Sequence, residues 1–434
     1  MPGLNQISVI SNLTHLHYKI NINLCALFTG FLCLCSSLVL AQQSGNSLDL
    51  WSEGYLDIHH INTGSGDAAF FILPDGTTML FDVGAHNRPP GGAREMFPKP
   101  NDTRSPGEWI SRYIKYMLQE WEEIKLDYVL LSHFHSDHMG GVYEGMPVSE
   151  TESYGLSGVT DVGDRIPIHR IIDRAWPDYN WPVPLGNESM KNYRQFLSWH
   201  VANQNLEVKQ FKVGVNDQIV LVNKPEKYPG FEVRNIAANG KAWTGTADNV
   251  RNHFPDLKTL DAQDLPTENM CSLAIRLSYG KFDYFTGGDL VGVPPPGSPH
   301  WHDIETPIGK SVGPVEVNVT NHHAHFDAQN ENFIRSLRPK VHIIQSWVVN
   351  HPAPSTLRRL LSTNLYPGPR DIFSTNLPEV TKTFIGSEAD KINNQQGHIV
   401  VRVKPGGETY YVFVLNDSDE SFRIKSVNGP YQAN

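Results

Sequence analysis

The sequence predicts an α/β (α+β) protein built as a four-layer αββα sandwich, with two sheets inside and helices outside. Strand-like and helix-like segments interleave twice over, and a chain of 434 residues is too long for one simple sheet. The third observation is chemical. A short apolar run of strand length, Leu126–Leu131, leads directly into His133-Phe134-His135-Ser136-Asp137-His138, which places a cluster of reactive side chains at the carboxyl end of a strand.

Taken in order, residues 55–61 and 68–73 read as strands, and Pro74-Asp75-Gly76 as the turn into a third strand at 78–83. Ser105-Pro106-Gly107-Glu108 supplies an N-cap, a proline at the first helical position and a capping-box acid. The helix it opens repeats Ile110, Tyr113, Ile114, Met117, Leu118 and Trp121 at three and four residues, and is expected to end near Glu123. After the strand at 126–131, residues 143–165 read as an inserted loop and 168–172 as a strand. A helix follows at 187–202, then strands at 206–212, 217–222 and 231–237. Residues 239–268 are polar and irregular, a second surface insertion. The last third predicts a hairpin (271–277 and 282–286), a strand at 315–319, a helix marked by Phe333, Ile334 and Leu337, a strand at 341–347, a helix at 355–361 and a closing hairpin (398–404 and 409–415). No repeat recurs at a fixed period, so 48–430 is expected to be one domain carrying the insertions at 143–165 and 239–268.

The amino terminus differs from the rest. Residues 24–40 are nearly free of polar side chains, Lys19 precedes them, and Val39-Leu40-Ala41 resembles a small-residue cleavage site, so 1–41 reads as a signal peptide and 42–47 as a linker. The apolar run falls short of the roughly 20 residues of a comfortable membrane span. A secreted or periplasmic protein with no stable membrane span after signal removal is expected. Cys25, Cys33 and Cys35 fall in that segment, which leaves Cys271 without an internal disulfide partner, in an apolar pattern that suits a small buried hydrophobe. A net charge of −10 argues against general nucleic-acid binding, which depends on neutralising phosphates with Lys and Arg.

Two histidines at i and i+2, followed by Asp and His at i+4 and i+5, cannot all point one way from a regular strand. They belong on a turn, where His133 and His135 can hold one metal while Asp137 and His138 face a second. Gly140-Gly141 then allows the next segment to pack closely behind. Nitrogen and carboxylate ligands without thiolate suit zinc, with iron or manganese also compatible. The sequence contains no Walker-type loop that would point to another chemistry.

The run His133-x-His135-x-Asp137-His138 resembles the signature of the metallo-β-lactamase superfold. Gly64-Ser65-Gly66-Asp67-Ala68, Pro74-Asp75-Gly76 and Leu80-Phe81-Asp82-Val83-Gly84 are similar to the opening of the branch that contains the extracytoplasmic domain of the DNA-uptake protein ComEC and bacterial phosphorylcholine esterases. Phe285-Thr286-Gly287-Gly288-Asp289 resembles that branch's Thr-Gly-Asp, and His322-His323 and Asn350-His351-Pro352 resemble its later histidine motifs. The resemblance implies the metallo-β-lactamase form of the αββα sandwich and a site for two zinc ions. His133, His135 and His322 would hold the first ion, Asp137, His138 and His351 the second, and Asp289 would bridge them. It also implies a hydrolase that uses a metal-bridging hydroxide, with Asp137 and Asp289 as catalytic residues, acting on a small-molecule or envelope-derived ester. A phosphoester is the first expectation; a lactone, thioester or β-lactam, or iron-dependent oxidoreductase chemistry on the same fold, are the alternatives.

The family run His-His-Gly-Ser is replaced here by His322-His323-Ala324-His325, which leaves open which of His322 and His323 is the ligand. It also leaves His325 either facing substrate or solvating a loop, and the leaving group's proton source open between Asp137, His325 and water. Asp82 is expected to buttress the metal loop, and Asp67 to serve either as an Asx-turn residue or near the metals. His300-Trp301-His302-Asp303 imitates a ligand run but follows Pro294-Pro295-Pro296-Gly297, with no strand leading into it. His59, His60, His200 and His342 lie in strand or helix patterns and are expected to be hydrogen-bonded structural residues.

Overall fold

Alternation of apolar side chains explains how the strands of this chain can be buried on both faces, and the computed structural model shows it directly. It describes residues 43–86 and 97–434; the expected signal segment, with Cys25, Cys33 and Cys35, lies outside them. The first sheet begins with β1 (Leu56–His60), β2 (Ala69–Ile72) and β3 (Thr78–Phe81), paired antiparallel, and continues through the parallel strands β4 (Leu126–Leu131), β5 (Ile168–Asp173) and β6 (Glu207–Gln210). The second sheet takes β7 (Phe231–Ala238), β8 (Lys241–Trp243), β9 (Val250–Asn252), β10 (Ala274–Tyr279), β11 (Phe282–Thr286), β12 (Val317–Val319), β13 (Val341–Ile344) and β14 (Asp371–Ser374). The chain then returns to the first sheet with β15 (His398–Val403), β16 (Thr409–Leu415) and β17 (Ile424–Gln432), β15 lying beside β1.

Alternate residues of each strand enter different cores. Phe71, Met79, Tyr128, Leu130 and Val401 face the second sheet, where they meet Ile275, Leu277, Tyr284, Val317 and Ile343. Their neighbours Phe70, Leu80, Val129, Leu131 and Val400 face outward onto helices α1 (Pro106–Met117), α3 (Val159–Arg165) and α4 (Glu188–Asn203). The outer face of the second sheet is covered by α5 (Glu305–Val312) and α6 (Glu331–Leu337) through Ile308, Val312, Phe333 and Leu337, and by α7 (Pro354–Leu361) and α8 (Glu379–Ile385) through Leu357, Leu360 and Ile385. Between β4 and α3 lies a single helical turn, α2 (Ser136–Met139). Residues Ser44–Asn434 form one compact unit. This is the predicted αββα sandwich. No helix among the described residues is long and apolar enough to cross a membrane.

Several boundaries differ from the sequence reading. Helix α1 stops at Met117 and not near Glu123: Leu118 caps it, and Glu120, Glu122 and Glu123 would otherwise place negative charge at the negative end of the helix dipole. The segment at 217–222 is not a strand, although Ile219 and Leu221 are buried between the sheets. Its backbone is satisfied by side chains, with Val220 bonded through N–H and C=O to the Tyr128 hydroxyl, and the Val222 N–H donating to Thr77 Oγ1. The loop expected at 143–165 ends in α3. The insertion at 239–268 is only partly a surface feature, since β8 and β9 extend the second sheet. Cys271 is fully buried, its thiol pushed up to about 12 mainly by burial, as expected of a structural residue.

One ion pair locks the join between β1 and β15. Arg402 stands opposite Asp57 in register and donates Nε and Nη2 to its two oxygens at 2.8 and 2.5 Å, with both residues buried. Removing one partner of such a pair leaves the other charge buried and uncompensated. Arg402→Ala is therefore expected to cost about 3–5 kcal/mol of unfolding free energy in chemical denaturation, and far less when combined with Asp57→Leu.

Candidate metal centre

The strand β4 delivers His133 to the end of the first sheet, and α2 turns Asp137 and His138 back over it. The backbone of this loop is held from the β1–β2 loop and from the end of β3: Asp67 N–H donates to the Asp137 carbonyl at 2.8 Å and Val83 N–H to the His138 carbonyl at 2.7 Å. The approach is close enough that a Cβ on Gly84 would lie 2.1 Å from the Asp137 carbonyl oxygen, and one on Gly140, at φ +98°, 2.4 Å from the Ser157 carbonyl. Asp82, at the end of β3, accepts from Ser132 N–H and Ser132 Oγ, each at 2.7 Å, and from His138 Nδ1 at 2.8 Å. It is the buttress the sequence predicts, and it fixes His138 with Nε2 free to face inward.

Asp289 follows β11 and sits at the centre, 2% exposed. Its Oδ1 lies 3.0 Å from His138 Nε2 and 3.4 Å from His323 Nε2, while its Oδ2 lies 3.6 Å from His133 Nε2 and 3.7 Å from His322 Nε2. Two groups able to hold a metal share Asp289, namely Asp137, His138, His323 and Asp289 on one side and His133, His135 and Asp289 on the other, and a third, His322, His325 and Asp327, lies beside them. His133 Nε2 and His135 Nδ1 face one another at 3.0 Å. His351 stacks on His323 with ring centroids 4.6 Å apart and its Nδ1 buried, outside both groups.

The doublet His322-His323 is placed by a backbone that sequence does not announce. His322, His323 and Ala324 take φ of 46°, 51° and 60°, three successive non-glycine residues in the left-handed region, each costing on the order of 1–3 kcal/mol. This turn brings His323 Nε2 to 3.4 Å from Asp289 Oδ1 and into a group with Asp137 and His138, while His322, its Nε2 3.7 Å from Oδ2, groups with His325 and Asp327. The turn is held by the buried carboxylate of Glu305, whose pKa burial pushes up to about 7. Glu305 accepts from Asn321 Nδ2 at 2.8 Å and from the N–H groups of Gln329 and Asn330 at 2.7 Å each. His322 Nδ1 is also tied to Asp327 Oδ1 at 2.7 Å, an oxygen that His325 Nδ1 shares at 3.1 Å.

The centre fits metal ions on two grounds. His138 Nε2 and Asp289 Oδ1 are only 3.0 Å apart, yet both are buried without a hydrogen bond, as is His351 Nδ1. Burial opposes charge on His138 and His323, but Asp289 with Asp82 and Asp137 raises the first, and Asp67 with Asp289 raises the second, well above the ordinary imidazole value. Burial likewise opposes ionisation of Asp137 and Asp289, and the histidines hold both well below the usual carboxylate range. Carboxylates packed this closely against buried imidazoles call for positive charge, which bound metal ions would supply. Asp67 lies in this network, its Oδ1 2.9 Å from His323 Nδ1 but without hydrogen-bond alignment. A cavity of about 380 Å³ opens onto the cluster, lined by Asp137, His322, His323, His325, Trp347 and His351 among others.

The remaining histidines behave as structural groups. His59 meets the Tyr113 hydroxyl, His60 Gln345, His200 Tyr154, and His342 Asn318 and Tyr366. His300 and His302 lie on a short 3-10 turn and join no ligand group among the described residues. The sequence reading missed Asp327, Glu305 and Glu268 as supports of the site; nothing in their local sequence marks them, since each reaches it through tertiary contacts.

Residues 63–151 match the model of the metallo-beta-lactamase superfamily, a segment that includes the His133–His138 run and ends before Asp289. No curated protein matches the chain. The match supports the superfamily, and the two mixed sheets with flanking helices agree with its αββα sandwich. That superfamily, together with a His/Asp cluster able to hold metal, points to a metal-dependent hydrolase.

Asp82→Ala removes the acceptor that orients His138. Zinc affinity by calorimetry is expected to fall about 10–100-fold, with little change in secondary structure by circular dichroism.

Proposed function

We propose that the protein is a dinuclear metal hydrolase, with zinc the best match to its ligands, that cleaves a phosphoester. The observation that carries the two-metal reading is the geometry of Asp289, each of whose oxygens faces a separate set of imidazoles. In this reading His133, His135 and His322 hold the first ion, Asp137, His138 and His351 the second, with Asp289 between them. The position of His323 beside Asp137 supports adding it to the second set. Bound metal would supply Lewis acidity and lower the pKa of a coordinated water.

The chain's own residues provide the rest. Asp289 and Asp137 are held ionised by the surrounding imidazoles and would supply negative charge to the ions from either side. Asp82 holds His138 in one tautomer, and Asp327 does the same for His322. The cavity wall of Trp347, Val348 and Val349 provides an apolar surface beside the polar centre, suited to the organic part of an ester. The phosphoester assignment rests on the sequence resemblance to the phosphorylcholine-esterase and ComEC branch, and on the match between anionic oxygens and a pair of dications. The amino-terminal segment supports export, and an envelope-derived or extracellular small-molecule ester as substrate.

The test is turnover of bis(p-nitrophenyl) phosphate, p-nitrophenylphosphorylcholine and a lactone panel by zinc-loaded and chelator-treated protein. Hydrolysis of a phosphoester that disappears on chelation and returns with zinc is expected; turnover of lactones alone would replace the substrate class. For the ligand set, His351→Ala is expected to lower zinc content by about one ion per chain in elemental analysis while the first site stays filled. Unchanged content would remove His351 from the centre.

A further inference from the structure

We propose that a groove formed where the edge strands of the two sheets come together, at the same end of the sandwich as the metal centre, binds an acidic oligosaccharide. The ligand class does not depend on which bond the centre cleaves.

Strand β5 runs parallel to β4, so its carboxyl end at Asp173 lies at the end of the sandwich that carries His133. The connection that follows, from Arg174 to Trp181, contributes one side of a groove of about 950 Å³, larger than the cavity of about 380 Å³ over the metal cluster. A second side is the chain at the end of β6, the edge strand of the first sheet, with Gln210 and Lys212. The third is the β8–β9 hairpin at the edge of the second sheet. Lys241 stands opposite Asn252 in register, and Val250 lies two residues before Asn252 on the same strand, so all three share one face.

One buried guanidinium holds these parts together. Arg174 donates from Nη1 to the Trp181 carbonyl at 3.2 Å and to Asn239 Oδ1, at the start of the insertion, at 3.1 Å. Its Nε and Nη2 pair with the two oxygens of Glu268 at 2.8 and 2.5 Å, and Glu268 Oε1 also accepts the N–H of Phe134, between His133 and His135, at 3.0 Å. The guanidinium lies 4.9 Å from the centroid of the Phe134 ring. The groove is thus preorganised and joined to the metal loop by charge-assisted contacts.

The lining sets the ligand chemistry. Trp181 is 41% exposed, with Phe254 stacked against it at 6.2 Å, so its indole keeps an open surface, and Trp176 lines the same groove with Tyr179 edge-on at 6.4 Å. The negative face of an indole attracts the polarised C–H groups of a pyranose ring. Beside these rings, Gln210 Oε1 and Asn252 Oδ1 have no partner among the described residues and can accept from hydroxyl groups. Such acceptors favour a sugar over single-stranded DNA or a polyglutamate chain, neither of which carries a row of hydroxyl donors. Lys212 and Lys241 make no ion pair among the described residues, while the acid of the lining, Asp178, is engaged by the N–H and Nδ2 of Asn180. In a chain of net charge −10, two uncompensated cations brought to one groove from different sheets are complementary to an anion.

Calorimetric titration of the full chain tests this with hexasaccharides of galacturonate, hyaluronate and heparin, against cellohexaose, oligothymidylate and hexaglutamate. At least one acidic hexasaccharide is expected to bind at least about tenfold more tightly than the neutral sugar and both non-sugar polyanions. Trp181→Ala and Lys241→Glu, both at exposed positions, are each expected to weaken that binding at least about tenfold and to leave zinc content and circular dichroism unchanged. No binding of any acidic sugar, equal binding of cellohexaose or of either non-sugar polyanion, or unchanged affinity in either variant would overturn the proposal. Binding is read without turnover, so a protein that binds the sugar and hydrolyses no ester would refute the hydrolase reading alone.

Discussion

The carboxylate of Asp289, itself 2% exposed, must present one oxygen to each of two groups of imidazoles, and much of the surrounding structure serves that requirement. Three carboxylates, Asp67, Asp137 and Asp289, are gathered with His133, His138, His322, His323 and His351 at the ends of strands from both sheets. Like charges at such spacing repel strongly when desolvated, so the arrangement is tolerable only where cations lie between them. Metal ions held between them would supply that positive charge with directed bonds.

The supports act at some distance from the centre, and each is built from a buried polar contact. Asp82 reads the metal loop from the end of β3, Glu305 holds the left-handed turn through side-chain and backbone donors, and the Arg174–Glu268 pair braces the loop from the insertion. The strained turn at His322–Ala324 follows from this geometry. Adjacent residues of a regular strand face opposite ways, so two consecutive histidines reach one carboxylate only if the backbone leaves the extended region.

The layers and half of the site were legible in the sequence because local pattern carries them. The Leu126–Leu131 run, the capping signal at Ser105 and the alternation in β1, β2 and β15 need no tertiary information, and the strand lengths largely agree. Strand β17, absent from the sequence reading, mixes Lys425, Asn428, Gly429 and Pro430 at a sheet edge, where one exposed side removes the apolar signature. The apparent strand at 217–222 failed for the converse reason: its apolar residues are buried, but side chains and not a neighbouring strand satisfy its backbone. At the centre, the His133–His138 run declares itself, whereas the placement of His322 and His323 near Asp289 depends on positive φ at residues that rarely adopt it. Glu268 and Asn269 sit in a stretch whose polarity reads as solvent exposure until the fold brings it against Phe134 and His322.

The central claim is that Asp289 separates two metal ions, and anomalous diffraction from crystals of the zinc-loaded chain tests it most directly. Two peaks are expected, one on each side of the carboxylate and each at about 2.0–2.2 Å from a different oxygen. A single peak bound by both oxygens, or zinc located only away from Asp289, would contradict the account.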